Sequence, residues 1–336
     1  MGLNISQIIP KREISLEDLS NRKLAVDASQ MLYQFLSSIR QPDGTPLMDS
    51  NENITSHLMG ISTRIPNLIE NNLKLAFVFD GKPPLLKIQE QEQREHRKQL
   101  AEEKLEKAKE EGDEESMLKY SKQSTRLSFK MTDEAKELIK AFGLPIIQAP
   151  SEAEAQCSFL AEKNDVYAVV SSDFDSLLYS ATRLIKNLTA SKKRKIRNVY
   201  VSINPEMIEL SQVLKELEIN QDQLIILAIL VGTDYNSGIK GIGPKNALKL
   251  VKKYNNFDRL FSELNPDFDW KKIYATFKSM PVMKNYQLKW SEPDEEKIRK
   301  ILVDDHDFNE ERVDKMLEKL TKKEKRQRGL SSFLKP

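Results

Sequence analysis

Three short apolar runs in this chain end in aspartate. Lys23-Leu24-Ala25-Val26 runs into Asp27, and residues 73–79 (LKLAFVF) run into Asp80. Residues 166–171 (VYAVVS) stop just short of Asp173 and Asp175. Each run has the length and composition of a buried strand, and a fourth is predicted at 198–203 (NVYVSI). Helical patterns fill the intervals at 29–39, 54–70, 133–141 and 151–163. Strands alternating with helices predict an α/β fold with a central, twisted, mostly parallel sheet covered by helices on both faces. Parallel strands place all three strand-end aspartates on one rim, the edge at which such sheets bind ligands.

One strand-end aspartate is often just the cap of the next helix. Three on one rim, with Asp175 two residues beyond Asp173, repel one another and need cations or protons. The single cysteine, Cys157, excludes an intrachain disulfide and a cysteine-based zinc site, and His57, His96 and His306 are far apart in sequence. Hard oxygen ligands imply Mg²⁺ or Mn²⁺. Two such ions activate a water and stabilise the leaving oxygen in phosphodiester hydrolysis. Ser151-Glu152-Ala153-Glu154 has two readings: a capping box that starts a helix, or further ligands.

The charge balance, 53 Lys+Arg against 51 Asp+Glu, does not mark a nucleic-acid binder, so binding must come from how charge is distributed. Residues 89–128 are mostly charged and too poor in apolar groups for a core of their own. A Gly112-Asp113 break divides them into two helix-prone halves, read as a solvated helical hairpin or as a mobile arch carrying cations over a site. Residues 220–231 form a strongly apolar helix with Asn220 as N-cap. Gly241-Ile242-Gly243-Pro244-Lys245 then leads into an amphipathic helix to about Tyr254. Glycines that let a backbone approach phosphate, followed by a helix N-terminus, are the pattern of a helix–hairpin–helix loop; an ordinary turn with Pro at N1 is the alternative. Lys192-Lys193-Arg194-Lys195 with Arg197 is a solvated loop or a phosphate contact. Tyr33 is a core residue or a stacking platform. Another helix is expected at 295–320 and a flexible basic tail after it. No apolar run approaches the roughly 20 residues of a membrane span. Met1–Ser6 matches the myristoylation pattern without other membrane features to support it.

These motifs together resemble the flap endonucleases of the structure-specific 5′ nuclease superfamily. The resemblance spans essentially the whole chain through VDAS at Asp27, SHLMG at Ser56, VFDGKPP at Asp80, APSEAEA, SSDFDS, GTDY at Asp234, GIGPK and KWSEPDEE. It implies seven carboxylates around two divalent ions: Asp27, Asp80, Glu152, Glu154, Asp173, Asp175 and Asp234. It also implies that Lys87 and Arg94 draw in the scissile phosphate, with Arg97 nearby, that Tyr33 stacks on a base, and that Gly2 packs near the site. The neighbourhood of Thr55 would form the wall of a pocket for a one-nucleotide 3′ flap. Gly241, Gly243 and Lys245 would grip duplex DNA, with K⁺ bound at that loop.

By the same resemblance, residues 1–320 form one nuclease domain: an N-terminal region (1–81), a helical arch (82–130), an internal region (131–219), a helix–hairpin–helix (220–255) and a C-terminal helical region (256–320). In the tail at 321–336, Gln327, Leu330, Phe333 and Leu334 fit a sliding-clamp motif, with Leu334 replacing the usual second aromatic. The chain stops two residues later, without the long basic extension of eukaryotic members, which leads us to expect an archaeal protein; the single cysteine fits an intracellular setting, and a monomer apart from its clamp is expected. The expected activity is cleavage of 5′ flaps in branched DNA, with 5′–3′ exonuclease activity, in replication and repair. One competing reading is a DxD phosphatase with Asp173 as nucleophile, which leaves GIGPK and the tail motif without a role. Another is a catalytically inactive DNA-junction or clamp adaptor, which leaves the carboxylate set without one.

Overall fold

The computed structural model describes residues 3, 5–190, 193–196 and 199–320. Gly2, Lys192, Arg197 and the tail motif of Gln327, Leu330, Phe333 and Leu334 lie outside the described residues. The strands are β1 (Arg12–Glu13), β2 (Lys23–Asp27), β3 (Lys74–Phe79), β4 (Ile146–Gln148), β5 (Ala168–Val170), β6 (Arg183–Lys186), β7 (Lys193–Ile196), β8 (Val199–Ser202) and β9 (Glu206–Glu209). Seven of them form one sheet in the order β1-β9-β6-β5-β2-β3-β4. The five from β6 to β4 are mutually parallel, and β9 and β1 add antiparallel strands at one edge.

The sheet separates two apolar cores by the two-residue alternation of its strands. Ala25, Val78, Val169, Leu184 and Ile208 face one core. Leu24, Val26, Phe77, Phe79, Ile185 and Met207 face the other. Phe77 is fully buried; truncating such a side chain to alanine costs about 3–5 kcal/mol.

Helices α1 (Ala28–Ser38), α2 (Ser56–Glu70), α3 (Ile88–Glu111), α4 (Glu114–Gln123), α5 (Phe129–Ala141), α6 (Ala153–Glu162), α7 (Asp175–Leu178), α8 (Leu210–Leu217), α9 (Gln221–Val231), α10 (Pro244–Lys253), α11 (Phe257–Leu264), α12 (Trp270–Ser279) and α13 (Glu295–Arg299) complete the chain. Core residues of α1, α2, α5 and α13 belong to one face of the sheet, and those of α6 to α12 to the other. The charged segment folds as α3 and α4, which pack on each other and break at Gly112, whose φ is 68°. Asp113 caps α4 by accepting from the Ser116 N–H. Asn220 caps α9 with a full capping box to Gln223.

Two expectations need correction. The strand placed at 198–203 is described as Val199–Ser202, and it pairs with Lys193–Ile196 in a separate two-stranded sheet. The main sheet instead takes Arg183–Lys186 and Glu206–Glu209, whose short, half-polar sequences (RLIK, EMIE) carry no clear apolar signal. The helix expected over 295–320 ends early as α13, passes through a π-turn at Lys300–Asp304, and resumes only at 310–320. The chain there turns at Asp307, whose φ is +56° and whose carboxylate accepts from the Ser50 N–H. Among the described residues no helix is long and apolar enough to cross a membrane.

Candidate active site

From β2 the chain steps to β3 and β4 on one side; β5 and β6 lie on the other. The crevice between the C-terminal ends of β2 and β5 is therefore a topological switch point, where open α/β sheets hold ligands. Asp27 ends β2, and Asp173 lies three residues beyond the end of β5. Asp80 follows β3, held there by a close approach: a Cβ on the next residue, Gly81, would stand 2.2 Å from the Ala149 carbonyl oxygen.

The opening of α6 resolves the two readings of Ser151–Glu154. Ser151 does not cap the helix; its hydroxyl donates to the Lys82 carbonyl at 2.9 Å. Asp80 takes the capping role, its carboxylate accepting from the Ala153 N–H at 2.7 Å. The local cap signal is thus overridden by a carboxylate from another strand. Both glutamates are left for the rim. Glu154 lies with Asp173 and Asp175, their ligand oxygens all within 4.8 Å of one another. Glu152 pairs with Lys87 at 2.5 Å, and Lys87 also reaches Asp234 at 3.3 Å. Arg94 donates from Nη2 to Asp234 at 2.6 Å. The seven carboxylates thus share one neighbourhood, linked by these contacts and by the charge effects below.

Burial and crowding act in the same direction on these acids. Asp27 is pushed up to about 8 by burial and then by the charge of Asp80. Burial also raises Glu154, with Asp175 as the next cause, and raises Asp175, with Asp173 next. Asp173 and Glu152 rise through burial too, Glu152 against the opposing pull of Lys87. For Lys87, burial alone would favour the neutral amine, but the charges of Glu152, Asp234 and Glu154 outweigh it and hold the ammonium form. Buried like charges of this density are unstable without cations. One oxygen of Asp175 is buried without a hydrogen-bond partner. An all-oxygen donor set with an orphaned carboxylate oxygen fits a hard divalent cation. Glu154, Asp173 and Asp175 are the residues best placed to hold it.

The remaining expected residues fall as follows. Tyr33 is on α1, 39% exposed, with the Lys98 ammonium 5.3 Å from its ring centroid. Arg97 pairs with Glu90 at 3.3 Å rather than with the carboxylate cluster. Gly241, with φ +86°, and Gly243 are exposed between α9 and α10, Lys245 is exposed in the first turn of α10, and added Cβ atoms at the two glycines would meet nothing within 4 Å. The wall expected around Thr55 is not a surface: Thr55 is 4% exposed, and Ser56 and His57 are fully buried, Ser56 accepting from the Leu47 N–H and His57 lying against Glu134 of α5. Sequence reading missed Glu90, which holds Arg94 Nε at 2.5 Å; its place four residues before Arg94 on a helix was the available signal. It also missed Tyr235, whose hydroxyl pairs with that of Tyr179 at 2.8 Å.

A mostly parallel sheet with a carboxylate cluster at its switch point, met there by Lys87 and Arg94 from the segment that opens the α3–α4 hairpin, defines a metal-dependent nuclease of the XPG type. Residues 3–101 match the XPG N-terminal domain and residues 143–234 the XPG I-region. The chain is 50% identical to Flap endonuclease 1 of Pyrococcus furiosus over 340 residues, covering all of both chains. It is 50% identical to that of Thermococcus onnurineus over 325 residues, 96% of this chain and 95% of the relative. Among solved structures it resembles flap endonuclease-1 from Methanococcus jannaschii, with a TM-score of 0.77 and 42% identity, covering 95% of this chain and 98% of the other. The catalytic core of Rad2 in complex with DNA substrate follows at 0.71 and 25%, covering 95% and 100%. The chain belongs to the flap endonuclease 1 family.

Proposed function

We propose that the chain cleaves 5′ flaps from branched DNA near the junction of single strand and duplex. The observation that carries this reading is the meeting of Lys87 and Arg94 from the arch with Glu152 and Asp234 at the carboxylate rim. When bound, two Mg²⁺ ions, or Mn²⁺ in their place, supply the charge that activates water and stabilises the leaving oxygen. Asp27, Asp80, Glu152, Glu154, Asp173, Asp175 and Asp234 hold them. Lys87 and Arg94 exchange their carboxylate partners for the scissile phosphate and neutralise charge that develops on it. Tyr33 supplies a face for a base.

In this reading residues 82–130 are the arch around the 5′ strand. The 220–255 region grips the duplex backbone through Gly241, Gly243 and Lys245, with K⁺ at that loop. Specificity then rests on DNA shape, with little base reading. The tail motif of Gln327, Leu330, Phe333 and Leu334 recruits a sliding clamp, and the protein works inside an archaeal cell. Cleavage of a 5′-flap duplex with Mg²⁺, alongside a blunt duplex and a free single strand, tests the activity. Preferred cut sites at the junction, lost in Asp175→Ala, are expected. An inert wild type, or undiminished cutting by the variant, refutes it.

A further inference from the structure

Asp27 ends β2 and Asp173 lies just beyond the neighbouring β5, but the switch in strand order leaves no short chain connection between them. A single residue spans the gap. The backbone N–H of Gln30 donates to the Asp27 carboxylate at 2.9 Å. Its side-chain oxygen accepts from the Ser171 hydroxyl at 2.8 Å and also from the Ser172 N–H. Ser171 Oγ accepts in turn from the Asp173 N–H at 3.1 Å. The orientation of the amide follows from chemistry, because the Ser172 N–H is only a donor and must face oxygen. Four residues on, Gln34 repeats the device, accepting from the Thr189 hydroxyl beyond β6 at 2.8 Å. Helix α1 therefore carries two neutral amides on one face, each tied to a loop that leaves the sheet.

We propose that Gln30 is a positioning residue of the metal centre, fixing the Ser171–Ser172 backbone that delivers Asp173 and Asp175 against the strand end that delivers Asp27. The inference rests on the reading of these carboxylates as cation ligands. A neutral acceptor suits the task, since it holds two donors without adding charge to a crowded anionic rim. Groups that orient metal ligands typically contribute about 10–100-fold in metal affinity or activity.

The test is direct binding of Mn²⁺, followed by the paramagnetic signal of the free ion, to the full chain without DNA. Gln30→Met keeps side-chain length and removes the acceptor, and is expected to weaken Mn²⁺ binding by about tenfold. Ser171→Ala is expected to weaken it in the same direction. In the double variant the losses should fall short of their product, because both changes cut one chain of hydrogen bonds. Metal-free melting temperatures are recorded for each variant, so that a general loss of folding is distinguished from a loss confined to the site. Asp175→Asn serves as the reference. If it loses Mn²⁺ affinity while Gln30→Met matches wild type, or if the two losses simply multiply, the positioning role is wrong. If Asp175→Asn also binds as wild type, the metal reading itself falls and this inference with it.

Discussion

Arg94 and Asp234, 140 residues apart, are joined by a 2.6 Å charge-assisted hydrogen bond. It ties α3 to the loop after α9. With Lys87 bridging Glu152 and Asp234, two cations from residues 87–94 neutralise part of the carboxylate rim.

Both cations are therefore within reach of a phosphate bound at that rim. Lys87→Ala and Arg94→Ala are each expected to slow single-turnover flap cleavage by about 10²–10³-fold, the effect of losing one preorganised donor to transition-state charge. Arg94→Lys should recover only part of this, because Arg94 engages Glu90 and Asp234 through separate nitrogens of one planar, spread fork, a geometry that a compact ammonium does not reproduce. Full activity in Arg94→Lys would show that only the charge matters.

Asp175 is buried, with an unpartnered oxygen and two neighbouring acids within ligand distance. Without metal its charge opposes folding. Asp175→Asn should raise the melting temperature in EDTA and abolish cleavage in Mg²⁺, a trade between stability and activity at one atom. Mg²⁺ at about a hundred times its dissociation constant should stabilise the wild type by about 2.7 kcal/mol, and the variant by much less. Calorimetry in EDTA and in Mg²⁺ measures both differences.

The rim was legible in the sequence because Asp27 and Asp80 directly follow apolar runs, so the strand and the ligand share one signal. The cap of α6 was not, because its acceptor, Asp80, comes from 73 residues away and nothing local distinguishes it from Ser151. The burial of Thr55 left no local signal either: its N–H pairs with the Leu47 carbonyl as the chain folds back before α2. Arg183–Lys186 and Glu206–Glu209 complete the sheet through backbone pairing, which leaves little trace in side-chain type.

Lys245 lies exposed in the first turn of α10, beside glycines open to solvent. As a phosphate contact it should act equally on every DNA sequence. Lys245→Ala is expected to weaken duplex binding and to reduce the slope of log affinity against log salt by about 1. Fluorescence anisotropy across a salt series reads the slope, and an unchanged slope with weaker binding would point to an indirect effect.

Asp49 gives the protein a local acid sensitivity far from the rim. Burial would raise its carboxyl, but hydrogen bonds from His306, Asn53 and Asn51 outweigh this and hold it at about 2. A carboxylate lowered on folding contributes stability above its ordinary value near 3.8, lost as pH falls towards 2. Asp49→Asn should therefore be less stable than wild type at pH 5–7, and the gap should close between about pH 4 and pH 2. Melting temperatures across that range give the answer; a constant gap would locate the effect in packing.

The turn at Gly112 joins α3 to α4, and even an added Cβ there would meet no atom within 4 Å. A loop closed at an exposed tip grows longer at little entropic expense, roughly 0.6 kcal/mol for each doubling of its length. The tip of this helical hairpin is thus the natural place to splice in a fluorescent tag or a short peptide, leaving the sheet and its acids undisturbed.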